Sequence, residues 1–201
     1  MCLYPRLIDN PKYKATKKNG GNIPAISDLR VKKVPIGCGK CIECRKQESR
    51  KWQIRLLEDV RHNKNGKFIT LTFSNESILE LSKIVNEKSK NKIKGYDLDN
   101  KIAKLAMRRF LERWRKEYQT SLRHWFITEL GHQGTKNLHM HGIIWTNEKT
   151  DKKLETNNEN ILEQIEKIWA YGMIWPNKKN GIDKPNYVNE KTVNYLTKAV
   201  S

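Results

Sequence analysis

The sequence predicts an α+β fold in which helices lie against a largely antiparallel sheet. Three observations predict it. Residues 67–73 form a β-branched and aromatic run; residues 124–130 and 138–145 form two further strand-like runs joined by a link of hairpin length; and apolar residues recur at helical spacing in the segments around them.

Taken in order, residues 9–33 are rich in Lys, Asn, Gly and Pro and read as an irregular basic arm. Val34-Pro35-Ile36 reads as a short edge strand, the place where a sheet tolerates proline. Residues 41–61 read as a helix with Trp52, Gln53, Leu56, Leu57 and Val60 on one side. Asn63-Lys64-Asn65-Gly66 is a turn signal. In the strand at 67–73, Phe68, Thr70 and Thr72 take one face and Ile69, Leu71 and Phe73 the other. A short helical patch is expected at 78–85 and a longer helix at 98–118, where Ile102, Leu105, Ala106, Arg109, Phe110 and Trp114 recur at helical spacing. After the hairpin, a helix is expected at 160–171, a strand at 172–175, a loop at 178–184 and a final helix at 190–200. The chain carries no internal repeat.

Composition narrows the function. The chain has 201 residues, a length that suits one domain with a hydrophobic core, so residues 1–201 are expected to form a single domain with a basic, cysteine-containing arm at 1–44. A formal net charge of +18 repels itself in a compact chain unless a polyanion neutralises it, which makes nucleic acid the expected partner. An anionic membrane surface is the rival, but it calls for a basic amphipathic helix or a lipidation signal, and neither stands out. No run approaches the ~20 apolar residues of a membrane span, and Met1 to Arg6 lacks a signal-peptide core. The expected location is therefore the cytoplasm. The sequence leaves the oligomeric state open, with a monomer as the favoured reading.

The chemistry concentrates in Leu138-His139-Met140-His141-Gly142. Side chains alternate along a strand, so His139 and His141 point the same way while Leu138, Met140 and Ile144 point into a core. Two imidazoles so placed can bind a divalent metal, and two packed histidines explain the spacing equally well. Glu129 ends the preceding strand; if the two strands pair as a hairpin it faces His139 and completes a Glu/His/His set. Oxygen and imidazole ligands with open positions suit Mg2+ or Mn2+ acting on a phosphate. Further along, Tyr195 and Lys198 share a helix face at i and i+3. A phenol with an unperturbed pKa near ~10 needs help to act as a nucleophile, and a cation beside a polarised phosphate supplies it.

Motif by motif the chain resembles the HUH endonucleases, named for two histidines flanking a bulky apolar residue. The order matches: the strand Phe68-Ile69-Thr70-Leu71-Thr72-Phe73, then Glu129 with His139-Met140-His141, then the helix with Tyr195 and Lys198. It is more closely similar to replication initiators of small single-stranded DNA phages, the gokushovirus branch of the microviruses. Met1-Cys2-Leu3-Tyr4-Pro5, the segment from Val34 to Lys46, and Tyr187-Val188-Asn189-Glu190-Lys191-Thr192-Val193-Asn194-Tyr195 carry that likeness. The resemblance implies a ferredoxin-like HUH domain that nicks single-stranded DNA at an origin of replication in the bacterial host's cytoplasm. Tyr195 would attack the phosphodiester, leaving a 5′-phosphotyrosine and a 3′-hydroxyl that primes rolling-circle synthesis. His139, His141 and Glu129 would hold the metal, and Lys198 would stabilise charge beside it.

One departure stands out. Such initiators read Tyr-x-x-Lys-Tyr, with both tyrosines active, and here Ala199 takes the second tyrosine's place. They also continue past the point where this chain ends, at Ser201. The expectation is a nuclease portion of a longer chain with Ala199 introduced, which puts alternating strand transfer in doubt. Tyr187, ahead of the helix, reads as a packing or DNA-stacking residue rather than a nucleophile.

Cys38, Cys41 and Cys44, with Cys2 as a fourth, have the spacing of a structural Zn2+ knuckle; reduced cysteines at a helix start are the plain alternative. Arg45, Lys46, Arg50, Arg108, Arg113 and Lys116 make the helices basic and are candidates for phosphate contacts. Trp52, Trp114 and Trp125 could stack on bases, but their positions beside apolar residues read as core. Two other functions fit parts of the pattern: a non-catalytic nucleic-acid-binding protein built on the zinc knuckle, and a metal nuclease that uses water rather than tyrosine.

Overall fold

The computed structural model describes residues 2–89, 91–131, 137–177 and 188–198. The chain divides into two compact units, one running to Gln53 and the other starting at Ile54.

The first unit holds strands β1 (Arg6–Asp9) and β2 (Lys33–Ile36), which pair antiparallel with Leu7 opposite Pro35. The basic arm is thus more ordered than the sequence indicates: its ends form a ribbon, and between them lie three short 3₁₀ turns capped by Asn10, Thr16 and Asp28. The expected edge strand is present, with Pro35 in a two-stranded ribbon. Helix α1 (Ile42–His62) starts in this unit and ends in the next.

In the second unit the order is β3 (Lys67–Thr72), α2 (Asn75–Glu87), α3 (Gly95–Tyr118), β4 (Arg123–Leu130), β5 (Leu138–Trp145), α4 (Glu148–Thr156), α5 (Ile161–Ile168), β6 (Ile174–Trp175) and α6 (Glu190–Lys198). The sheet runs β4-β5-β3-β6 with every neighbouring pair antiparallel. Two β-helix-β crossovers, interleaved so that β5 lies between β3 and β4, give the ferredoxin-like arrangement. The α+β reading holds, with helices on an antiparallel sheet.

Local chemistry explains where the elements depart from the sequence reading. The patch expected at 78–85 extends to a full helix because Ser74 caps it, accepting from the Ser77 N–H. The helix expected at 160–171 stops at Ile168, where Trp169 turns to extended backbone. Helix α4 carries too little apolar periodicity to be seen in advance: only Thr150 and Leu154 are buried. The loop expected at 178–184, the end of the helix expected to reach 200, Tyr187 and Ala199 lie outside the described residues.

The two faces of the sheet bury different cores. Ile69, Leu71, Leu138, Met140 and Ile144 pack with Ile102, Ala106, Phe110 and Trp114 of α3 and with α2, α4 and α5. On the other face Ile143 and Trp145 pack with Leu56 of α1 and with Val193 and Leu196 of α6. Trp114 is fully buried, as its helical position predicts. Gly142 lets β4 and β5 approach closely: a side chain there would collide with the Phe126 ring and the Trp125 carbonyl oxygen.

Candidate metal centre

The register of β5 places the chemistry. His139 and His141 alternate with buried Leu138 and Met140, so both imidazoles leave the sheet on the α6 side. Glu129 is the cross-strand partner of His139, and Ile127 that of His141. On the other flank Thr72 pairs with His139 and Thr70 with His141. The ligand atoms of Glu129, His139 and His141 all lie within 4.8 Å of one another.

Hydrogen bonds orient the two rings. His139 Nδ1 lies 3.0 Å from the Asn137 carbonyl oxygen, which can only accept, so Nδ1 carries the proton and Nε2 keeps its lone pair. His141 Nδ1 lies 2.8 Å from the Thr70 hydroxyl, and its Nε2 lies 3.4 Å from a Glu129 oxygen. Burial, then the neighbouring His139, pushes the His141 pKa down, against the pull of Glu129. A neutral imidazole is the form that ligates a metal. Donor chemistry, convergence and supporting partners all fit a metal ion.

Helix α6 brings the phenol. Asn189 accepts from the Thr192 N–H and caps the helix start, while Val193 and Leu196 are fully buried against the sheet. That leaves Thr192 and Tyr195, one turn apart, facing the histidines. The Tyr195 hydroxyl donates to Glu129 Oε2 at 3.4 Å, and its ring centre lies 5.6 Å from that of His141. Burial first, then the charge and hydrogen bond of Glu129, raise the Tyr195 pKa. Lys198 is exposed in the last position of α6, one turn beyond Tyr195.

The basic residues fall elsewhere. Helix α3 packs on the sheet face away from the histidines, so Arg108, Arg113 and Lys116 do not border the site. Arg113 is engaged within the fold, donating to the Ile168 carbonyl oxygen at 3.0 Å and the Tyr171 hydroxyl at 2.8 Å. Arg45, Lys46 and Arg50 are exposed on α1 in the first unit.

The first unit carries a second group. Cys2, Cys38, Cys41 and Cys44 place four Sγ atoms within 4.8 Å of one another, with Cys2 to Cys41 at 3.8 Å and Cys38 to Cys44 at 4.0 Å. The N–H groups of Lys40 and Cys41 point at Cys38 Sγ, and those of Cys38 and Tyr4 at Cys2 Sγ. The Leu3 and Cys44 N–H groups lower the Cys41 thiol to about 6. The Gly39 N–H pulls Cys44 down, but the Cys2 thiol and burial together push it up to about 11. Both this group and the Glu/His/His group are compatible with metal binding.

Sequence reasoning missed two residues on the histidine face. Thr70 read as an ordinary strand threonine, although its parity with Phe68 and Thr72 was visible. Trp175 passed unremarked; its signal was an aromatic residue in the short strand that follows the last sheet helix.

Fold and site together define a class: a ferredoxin-like α+β domain that gathers two histidines, a carboxylate and a phenol on one sheet face. A family model described as Replication-associated protein ORF2 matches residues 66–201. The chain belongs to this family, which supports a role in replication initiation and with it DNA binding. The match contains Glu129, His139, His141, Tyr195 and Lys198 and excludes the four cysteines. Comparison with curated proteins and with solved structures gives no match. Among the described residues no helix is long and apolar enough to cross a membrane.

Proposed function

We propose that the protein is an HUH-type endonuclease that initiates rolling-circle replication by nicking single-stranded DNA at an origin. The observation that carries this reading is the Tyr195 hydroxyl 3.4 Å from Glu129, on the sheet face that bears both histidines. Tyr195 attacks the scissile phosphorus: its oxygen–phosphorus bond forms, the bond to the 3′ oxygen breaks, the phenolic proton leaves and the 3′ oxygen takes one up. The products are a 5′-phosphotyrosine and a 3′-hydroxyl primer. A divalent cation, Mg2+ or Mn2+, held by Glu129, His139 and His141 supplies Lewis-acid polarisation of the phosphate. Lys198, at i+3 from Tyr195, balances negative charge at the phosphate. A microviral initiator of the gokushovirus kind, working as a monomer in the cytoplasm of a bacterial host, is the setting this reading implies.

The four cysteines act as a closed structural Zn2+ site. Four thiolates at ~2.3 Å from a tetrahedral zinc stand about 3.8 Å apart, close to the sulfur spacings of this cluster. A site closed by four sulfurs leaves no position for a reacting water, so its contribution is to the fold of the arm.

The test is incubation with single-stranded origin DNA and Mn2+, followed by a denaturing gel. A covalent protein–DNA band that EDTA abolishes and Tyr195→Phe removes is expected. Cleavage without a covalent band, retained in Tyr195→Phe, would establish water as the nucleophile. Binding without cleavage would establish a non-catalytic protein.

A further inference from the structure

We infer that the cleft beside the histidines is a subsite for one nucleobase of single-stranded DNA, with Trp175 as its stacking surface. The inference rests on the reading that the Glu/His/His face receives a DNA phosphate.

Phe68, Thr70, His141, Trp175, Thr192 and Tyr195 enclose a cleft of about 400 Å3. That falls within the ~300–1,000 Å3 of small-ligand pockets. Trp175 pairs with Thr70 in the β3–β6 register, and Thr70 pairs with His141, so the indole rises on the histidine face. Its neighbour Ile174 points the other way and is buried. Trp175 is 48% exposed and Tyr195 49%, unusual for large aromatic residues at the mouth of a cleft. Phe68 stands edge-on to both, with centroids 6.4 Å from Trp175 and 6.3 Å from Tyr195.

The lining selects its ligand. Four of the six residues carry aromatic rings and the other two carry hydroxyls; among the described residues no carboxylate or amino group lines the cleft. Such a surface receives a flat, uncharged ring with polar edges. The phosphates of the same strand would lie toward the histidines, whose side of the cleft is shared through His141 and Tyr195. The net charge of +18 draws that polyanion in. Stacking accepts any base, so this subsite holds the strand without reading its sequence.

The indole is held on a fixed support. Thr72 donates its backbone N–H to the Met173 carbonyl oxygen, and the Met173 N–H returns to the Thr72 hydroxyl, both at 2.9 Å. Gly172 packs so tightly on the Thr72 carbonyl that a side chain would force the strands apart. Trp175 therefore needs little ordering when a base arrives.

The experiment compares a twelve-residue oligothymidylate with an abasic strand of the same length, by fluorescence anisotropy at fixed salt without added divalent metal. One base–aromatic stack is worth roughly 5- to 150-fold in affinity. Trp175→Ala and Trp175→Leu are expected to lose at least ~5-fold for oligothymidylate and to keep wild-type affinity for the abasic strand. Trp175→Phe is expected to retain most of the affinity. Equal affinity of wild type and all three variants for oligothymidylate would overturn the inference, as would equal losses on both strands. Photocrosslinking of a 5-iododeoxyuridine strand to wild-type protein gives a second reading: a crosslink on the peptide carrying Trp175 supports the subsite, and crosslinks confined to other peptides overturn it. Failure of the nuclease reading shows separately, as absence of the Tyr195 adduct from a protein that still distinguishes the two strands through Trp175.

Discussion

The Tyr195 hydroxyl donates to the Glu129 carboxylate at 3.4 Å, and Glu129 is in turn the cross-strand partner of His139. A residue near the end of the last described helix thus meets two strands from the middle of the chain. The same carboxylate that can ligate a metal also keeps the phenol protonated while no cation is present.

Ionisation of Tyr195 should therefore depend on metal. Burial, then Glu129, raises its pKa, so in metal-free protein it should ionise above the ordinary value of ~10. Because the pKa is higher folded than unfolded, the stabilising contribution is complete below about 10 and is lost as pH rises through the folded value. Adding Mn2+ should move the ionisation down by offsetting the Glu129 charge. An ultraviolet difference titration of wild type against Tyr195→Phe, with and without Mn2+, measures both. Titration of Tyr195 at or below the free value without metal would contradict the expectation.

Thr70 should act on the metal through His141. Its hydroxyl lies 2.8 Å from His141 Nδ1, fixing the ring from behind. Thr70→Val keeps the shape and removes the hydroxyl. Loss of such an outer partner costs roughly 10- to 100-fold in metal affinity. Calorimetric titration with Mn2+ should show that loss with little change in Tm; unchanged affinity would remove Thr70 from the site.

Leu196 should hold the phenol in place. It is fully buried beside Val193 and Ile143, so Leu196→Ala should cost about 2–5 kcal/mol in unfolding free energy. Because α6 carries Tyr195 but neither histidine, adduct formation should fall more than Mn2+ affinity. Denaturant unfolding and the two assays compared on one preparation check this. Equal losses would place the damage in the whole sheet.

Much of this arrangement was legible in the sequence because a strand has a period of two. The alternation around His139 and His141 set both imidazoles on one face, and the hairpin-length link brought Glu129 opposite His139. Helix α3 was legible through Ile102, Ala106, Phe110 and Trp114. What stayed hidden lacked a local signal. Helix α4 buries only Thr150 and Leu154, which gives no periodicity to read. Thr70 and Trp175 reach the site only through the order β5-β3-β6, a pairing of distant segments. Nor does sequence say which face α3 covers, so Arg108, Arg113 and Lys116 looked available to the site although they lie across the sheet from it.

The cysteine group should carry metal. Protein purified without chelator should contain about one zinc per chain, as expected for a closed four-thiolate site. Elemental analysis tests it, and replacing Cys38 and Cys41 with serine should abolish that zinc. A zinc content near zero in the wild type would leave the four thiols as reduced cysteines.

The central claim is that Tyr195 is the nucleophile, and identification of the modified residue tests it most directly. Wild-type protein reacted with single-stranded origin DNA and Mn2+, digested with nuclease and protease and analysed by tandem mass spectrometry, should yield a nucleotide phosphate attached to Tyr195. DNA cleaved under the same conditions with Tyr195 unmodified, or with the nucleotide on another residue, would contradict it.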